Sequence, residues 1–560
     1  MICPARSTLA IVVALCVIVH AVVAFLPSPL LSQRTASVFG LSPSPTSSSL
    51  SSPGLLTGRF PRHGGLRLRD GVLKTRAAAD DKQGVAVKTK SAASLVSGLS
   101  TAPELGDALT EALREAAAKL PEGQAPHSAL LFLSSRYCNF ASEERMAVDG
   151  RMRRDAAYDK VAPLMGRLFA QRGWSKTSVV GCSVSAPLSE SDEPEDMPGV
   201  SITLGYLPGT TVKAFTVPQD FDEDWTQEKW KEECGISAEK GVICLLAHPE
   251  SVADTEKVLG AFDFVFPEMK KFGAIAAIAE ANHEPALFMI PALEDAAGVS
   301  AKEMMLEKGV IGLALSGDIT VDAVVAQGAR PIGPNYEIVE TECNGTVVTK
   351  MREVGTETQS EGAPMMLFDL AGFTGAIDID DVKAALEFLA LGVSLNPLED
   401  DPAKHQYIVR PITDLQKDGP VALNEGVRAG QVVRFQVRDA GNATSELNTL
   451  MERWTLERKA RGEFENKVPA GSILLTDQSR GRTLYGKHGV ETTAFAKAFG
   501  GVSLGGGFIS GVIGELPNFK ESQVKDNNIS SILSSMGTRT YVHTVGAAFL
   551  MLYGNATTAE

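Results

Sequence analysis

The residues with the most chemical promise stand in two glycine-framed stretches. Gly481-Arg482-Thr483-Leu484-Tyr485-Gly486-Lys487-His488 spells GxxxxGK between a strand pattern and a helix pattern, where a phosphate-cradling loop would sit. Its eighth position is His488, so the hydroxyl that would ligate Mg²⁺ is missing. Bulky interior residues stand where such a loop wraps its N–H groups around phosphate. Gly181-Cys182-Ser183-Val184-Ser185 nears the GxSxG nucleophile elbow but ends in Ser, where the tight turn favours Gly. A hydrolase built on Ser183 needs a late histidine, and His543 exists, though its apolar setting reads better as a packed core residue. A Ser183 hydrolase and a nucleotide enzyme using Lys487 are the two enzymatic alternatives.

Metal chemistry finds little to work with. The eight histidines are scattered, and no two are spaced i, i+4 as in a helical zinc site. Cys244/His248 and Asp401/His405 have that spacing. The first pair lies along a strand pattern, where four residues span roughly 13 Å, and the second straddles Pro402. The glycines at 505–507, 511 and 514 do not spell GxGxxG, so no dinucleotide site is expected. They read equally as close backbone packing or as a backbone approach to a small ligand. No metal and no cofactor is expected.

The elements that must position these residues alternate between strands and helices. Leu105–Leu120 has helical apolar spacing and stops at Pro121, and Ser128–Ser135 is an apolar run of strand length. Asp159–Arg172 reads as a helix with Gly173 as its C-cap, and Thr177–Ala186 as a strand. Gly199–Leu207 and Val212–Val217 are strands across a Pro208-Gly209 turn, and the acidic run Asp220–Glu233 is expected to be solvated. Further strands are expected at Val242–Ala247, Gly273–Ala279, Ala286–Ile290 and Val310–Leu315, with a helix at Asp254–Phe266. Tyr336–Val339 and Thr346–Met351 read as a hairpin turning at Asn344-Gly345.

Beyond polar Arg352–Pro364 the last unit opens with Met365–Leu370, and strands are expected at Gln406–Pro411, Gln431–Val437 and Ser472–Leu475. Helices are expected at Asp378–Ala390, Thr444–Arg461 and Val490–Phe499, and a glycine-rich strand pair at Val502–Gly514. Tyr541–Tyr553 closes the chain as one buried strand. An apolar strand, a helix and a glycine-containing strand recur at 128–185, 242–279 and 472–511, a sign of internal structural repetition. The expected fold class is mixed α/β, two packed domains with helix-covered β-sheets. The expected domains are 98–351 and 365–553, with 352–364 as linker.

Bulk chemistry narrows the partners. Residues 1–77 hold eight Lys/Arg and one acid, Asp70, while the rest holds 45 basic and 67 acidic residues, a net −22. A body this acidic repels phosphate backbones and anionic membrane surfaces, so nucleic acid is not an expected partner. Beyond Cys3 and Cys16, five cysteines remain (Cys138, Cys182, Cys234, Cys244, Cys343). They are sparse, odd in number and without CxxC spacing, as for buried thiols in a reducing compartment. Leu9–Ala24 is a 16-residue apolar run, short for a membrane span and fitting a signal peptide, assigned to 1–24, with a membrane anchor as the alternative. Residues 25–78 are rich in Ser, Pro, Leu and Arg and almost lack acids, the composition of a transit peptide. With Phe25-Leu26-Pro27 at the junction, the leader resembles the bipartite presequence of algae with secondary plastids. A plastid location is expected, with no membrane span after leader removal. Secretion is the alternative, and the sequons at Asn344, Asn442, Asn528 and Asn555 would permit glycosylation there.

Taken in order, a string of motifs resembles the FIST family, with its N-terminal and C-terminal domains, over roughly residues 100–553. The N-terminal part is carried by Ser128–Ser135, Val180-Gly181-Cys182-Ser183, Pro198-Gly199-Val200-Ser201 and Leu207-Pro208-Gly209. It continues through Leu315-Ser316-Gly317-Asp318, Gln327-Gly328-Ala329-Arg330-Pro331-Ile332-Gly333 and the Asn344-Gly345 hairpin. The C-terminal part is carried by Tyr407-Ile408-Val409-Arg410, the Gly430–Arg438 strand, Ser479–Tyr485, and Gly506–Gly511 with Gly514-Glu515. Members of the family commonly read Cys-x-Gly-Arg-Gly before the Leu-Tyr. Here that Cys is replaced near Asp477-Gln478 and Arg482 stands for the second Gly, so any role resting on that thiol is absent.

The resemblance implies a sensory or signal-transduction module that binds small ligands, amino acids among them. Ser183, Arg410, Arg480, Gly507 and Glu515 are the candidate ligand-binding residues, since Arg and Glu beside exposed backbone groups can hold a carboxylate and an amine. No F-box-like segment precedes residue 100, so an adaptor role of that kind is not expected. A scaffold that meets a basic protein through its acidic surface is the third reading.

Overall fold

A computed structural model describes residues 89–558 except 138–155, 191, 223, 282, 293–303, 375–384, 398–405, 417–418 and 517–539. The two-part leader, Cys138, Asp401/His405, Asn528 and most of the helix expected at Asp378–Ala390 lie outside the described residues. Thr89–Thr557 form one compact unit.

The chain builds the same motif three times. The first copy comprises β1 (Ser94–Ser100), α1 (Leu105–Lys119), β2 (Ser128–Ser134), α2 (Val161–Arg172), β3 (Ser178–Val184), β4 (Ala186–Ser189) and β5 (Val200–Tyr206). The second comprises β6 (Thr210–Thr216), α3 (Gln227–Cys234), β7 (Gly241–Ala247), α4 (Val252–Val265), β8 (Met269–Ile275), β9 (Leu287–Ile290) and β10 (Val310–Gly317). The third opens with β11 (Thr320–Ala326), is interrupted by an inserted barrel, and resumes well downstream.

The barrel comprises β12 (Arg330–Pro331), β13 (Tyr336–Glu342), β14 (Val347–Glu353), β15 (Gln359–Glu361), α5 (Gly362–Thr374), β16 (Leu389–Ser394), β17 (Tyr407–Leu415), β18 (Val421–Leu423) and β19 (Val432–Val437). The third copy then continues with α6 (Ala440–Ala460), β20 (Lys467–Asp477), α7 (Gly481–Tyr485), α8 (Val490–Ala498), β21 (Leu504–Ile509), β22 (Gly511–Glu515), β23 (Thr540–His543) and β24 (Ala547–Thr558).

In each copy two strands joined through a helix lie parallel: β2 with β3, β7 with β8, β20 with β21. These are the three recurrences expected from sequence. Each copy's last antiparallel strand flanks the first parallel one, and its opening strand lies outside that. The strand after the parallel pair leaves home. β4 pairs with β21 of the third sheet, β22 with β8 of the second, and β9 with β3 of the first. The exchange closes a ring. Ser185 N–H donates to Phe508 O at 2.9 Å, Ser510 N–H to Ile275 O at 3.0 Å, and Ala277 N–H to Ser183 O at 3.0 Å.

Apolar patterning explains the layering. The parallel strands are apolar on both faces, as strands covered on both sides must be. One face of each sheet meets at the centre, through Phe132 and Cys182, Cys244 and Phe272, Ile473 and Leu550. The outer face of the first sheet is covered by α1 and α2, of the second by α3 and α4, of the third by α6 and α8. Helix α1 buries Leu105, Ala108, Leu109, Ala112, Leu113 and Ala116, a stripe at helical spacing. It lies so close to β1 that a Cβ on Gly98 would collide with Ala112 O. Gly173 ends α2 at φ +71°, the left-handed cap expected.

The barrel is antiparallel throughout. Its ring runs β19-β13-β14-β18-β17-β16, and β16 pairs again with β19 to close it, which leaves no open edge around the ring. Phe435, Leu391, Ile338 and Met351 fill its core, with Met366 and Leu370 of α5 packed among them.

Three expectations are corrected. Asp220–Glu233 is not wholly solvated: α3 covers its second half, and Trp230 is fully buried against Trp225, Phe221 and Phe262. The acids hide apolar anchors at Phe221, Trp225 and Trp230. Leu389 and Ala390, expected at the end of a helix, open β16, and Tyr541–Tyr553 is two strands separated by a turn at residues 544–546; Met365–Leu370 is helical. The polar stretch Arg352–Pro364 holds the end of β14, all of β15 and the start of α5, with barrel strands before and after it.

Candidate functional site

The GxxxxGK stretch already holds its anions. Glu195 accepts the Arg482 N–H at 3.0 Å and lies 3.0 Å from His488 Nδ1. Glu193 accepts Gly489 N–H at 2.8 Å and Thr492 N–H at 3.2 Å at the start of α8. Helix starts attract anions, and here the chain's own carboxylates fill them. Burial pushes both glutamates above the usual carboxylate range, against the pull of those N–H groups. Lys487 is exposed.

Ser183 is fully buried on β3. Its Oγ donates to Ala277 O at 2.9 Å and accepts Ala286 N–H at 3.0 Å, so it ties the ring of exchanged strands together. His543 lies on β23 with Nε2 3.2 Å from Gly514 O, and burial lowers its pKa to about 4. A Cβ on Gly507 would press on Val184, and the neighbouring glycines 505 and 506 abut Ser97 and Leu474 in the same way. Arg410 pairs with Glu425 and Glu256 and donates to Val542 O. Glu515 pairs with Lys270 at 2.8 Å at the far end of β22. Arg480 is fully buried, bound to Glu491, to Tyr485 Oη at 2.7 Å and to Val545 O at 3.3 Å. Burial opposes its charge, but Glu491 and Tyr485 outweigh burial and hold its pKa above the ordinary value.

None of these five residues lines the cleft described next. What the fold does assemble is a cleft of about 970 Å³ between the barrel, the end of β11 and helix α6. Three of the motifs noted in the sequence converge on it: Gln327–Pro331, Tyr407 at the head of β17, and Arg434 and Gln436 on β19. Gln327 Nε2 donates to Tyr407 O at 2.8 Å, which ties the barrel to the core. Glu446 of α6 accepts both Gln327 N–H, at 3.0 Å, and Gly328 N–H, at 2.6 Å. Gly328 takes φ +68°, and a Cβ there would collide with the Arg480 guanidinium. Arg480 therefore backs the cleft wall without lining it.

The charge of the cleft runs against that of the body. Arg330, Arg434 and Arg453 line it with a single acid, Glu446. Arg434 is held by its Nε–H donating to Gly333 O at 2.7 Å, and Arg330 by Asp439 at 3.3 Å. Arg434 and Gln436 were passed over because they stand in a strand-like run. The available signal was their alternation with Val433, Phe435 and Val437, which puts the polar side chains on one face and the apolar ones in the barrel core. Among the described residues no group of three or more His, Cys, Asp or Glu is placed to hold a metal ion.

The class to which this architecture points enters by comparison. Residues 155–353 match the model of the FIST family described as the FIST N domain. The chain is 28% identical over 211 residues to the uncharacterized protein MT0656 of Mycobacterium tuberculosis (strain CDC 1551 / Oshkosh), covering 38% of this chain and 50% of that one. Uncharacterized protein Mb0898c of Mycobacterium bovis (strain ATCC BAA-935 / AF2122/97) is 27% identical over 213 residues, with the same coverage. The chain thus spans about half the length of the curated relatives it matches. A solved chain described as "Cyanuric acid hydrolase: evolutionary innovation by structural concatenation" aligns at 10% identity and TM-score 0.21, over 56% of this chain and 85% of that one. That likeness is too slight to carry an argument. No helix among the described residues is long and apolar enough to cross a membrane.

Proposed function

We propose that this chain is a sensory module that holds a small ligand, amino acids within its range, in the cleft between barrel and core, and that it works inside a plastid. The FIST N domain brings the general role, since the family is proposed to serve as ligand-binding modules in signal transduction. The observation that carries the reading is the convergence of three separated motifs on one cavity whose size suits a metabolite. A ligand there touches both barrel and α6, so its occupancy favours one setting of the two, as a sensor requires.

Thermal-shift screening of the full chain against amino acids and small metabolites tests it. A ligand at a hundred times its Kd adds about 2.7 kcal/mol of stability. Ser445→Trp, which fills the cleft, abolishes the shift. A panel without any shift overturns the reading, as does a shift untouched by Ser445→Trp. The location rests on the composition of residues 1–78. A fluorescent fusion of that segment entering the plastid of an alga with a secondary plastid supports it, and a secreted fusion ends it.

A further inference from the structure

Two side chains on one face of β19 carry orphaned donors. Gln436 lines it, is 2% exposed, and its Nε2 has no hydrogen-bond partner. Two residues on, along the same face of β19, Arg438 is 4% exposed and its Nε and Nη2 are likewise without one. Two residues back stands Arg434, a cation in the cleft wall. Period-two geometry thus ranges Arg434, Gln436 and Arg438 on one side of one strand, with Val433, Phe435 and Val437 on the other. Buried donors go unpaired at a cost of desolvation, and an occupant rich in acceptors removes that cost.

The one charged acceptor of the cleft lining is already engaged. Glu446, the single acid in its lining, has each carboxylate oxygen taken by a backbone N–H, and Tyr407 O is taken by Gln327. An ammonium group would find no uncommitted carboxylate there, while an oxyanion finds Gln436 Nε2 and the guanidinium of Arg434. Arg438, further along the same face, is opposed by burial and partly offset by Asp477 and Glu387, so Arg434 is the cation that meets the ligand.

We infer that the ligand of this cleft is an oxyanion, a small molecule bound through carboxylate or phosphate oxygens to the Arg434–Gln436 face of β19. The inference rests on the cleft being the ligand site and names the chemistry it selects. Carboxylate and phosphate share the acceptor geometry that amide and guanidinium donors read.

Isothermal titration of the full chain with succinate, inorganic phosphate, alanine and ethylammonium separates the cases. Succinate or phosphate binds, and whichever is tighter identifies the source of the oxygens. Alanine binds at least tenfold more weakly than the better oxyanion, and ethylammonium does not bind. Gln436→Leu lowers oxyanion affinity about tenfold or more, while the apo protein melts no lower than wild type, because an unpaired buried donor has been removed. The inference is overturned if alanine or ethylammonium binds as tightly as either oxyanion, or if Gln436→Leu binds as wild type does. In that event a ligand blocked by Ser445→Trp still leaves the small-ligand reading standing. If none of the four probes binds while another ligand from the broader panel does, the oxyanion class alone falls. If nothing in either set binds, both fall.

Discussion

At the scale of single residues, the chemistry turns on charges held out of water. Arg480 is fully buried and reaches Glu491, Tyr485 and Val545 O while backing Gly328 of the cleft wall. Breaking a buried pair from one side strands the other charge, so Arg480→Met costs about 3–5 kcal/mol by chemical denaturation. Asp477 sits beside this group, and burial raises its pKa to about 6, against the pull of Ser479, Arg438 and Arg480. A carboxyl whose folded pKa exceeds its ordinary 3.8 contributes stability that is complete below that value and is lost as pH rises through 6. Between pH 4 and 7 the wild type therefore loses stability relative to Asp477→Asn, whose own profile is flatter in that window. Melting curves of both proteins across that range measure the difference, and parallel profiles would remove Asp477 as the cause.

At the scale of elements, close packing and borrowed caps set the tolerances. Gly98→Ala drives a methyl into Ala112 O, which pushes α1 off β1. Overpacking of this kind costs about 1–3 kcal/mol, seen as a lower denaturation midpoint with unchanged slope. Glu193→Ala leaves the start of α8 without its carboxylate. The loss resembles that of an N-cap, about 1 kcal/mol. Much of this scale was legible beforehand. Helices α1 and α6 announced themselves by apolar spacing, α2 and α4 were expected close to their bounds, and Gly173 was expected as the cap of α2. Trp230 was missed because its neighbours are nearly all charged, so the composition of the window outweighed one periodic anchor. The glycines at 505–507 were legible as a special backbone, and only their neighbours say that it is packing that requires them.

At the scale of the whole molecule, three short recurrences at 128–185, 242–279 and 472–511 pointed to repeated units, and all three are parallel pairs joined through a helix. What no window of sequence could display is where β4, β9 and β22 go, because each pairs with a sheet built elsewhere in the chain. Closure of the barrel was hidden for the same reason, since β16 and β19 meet across some forty residues. The cleft inherits that difficulty: its walls come from β11, β12, β17, β19 and α6, and no one stretch carries them. The barrel leaves and returns at one point, where Arg330 and Val437 are register partners. Partners in an antiparallel ladder are roughly 5 Å apart. Replacing residues 330–437 with a short Gly-Ser linker therefore leaves the three-sheet core folded, with a cooperative melt by calorimetry and no ligand response. A core that fails to fold without the barrel would show the insertion to be structural.

The exchanged strands have a consequence for ancestry. A polypeptide of one copy alone could close the same ring as a homotrimer, each subunit lending its strand to the next around a threefold axis. Fusing the copies end to end fixes their order and lets them diverge. The barrel interrupts only the third copy, at a place where a symmetric trimer would have carried three barrels. Among the described residues, the cleft against the barrel is built where the third copy is interrupted.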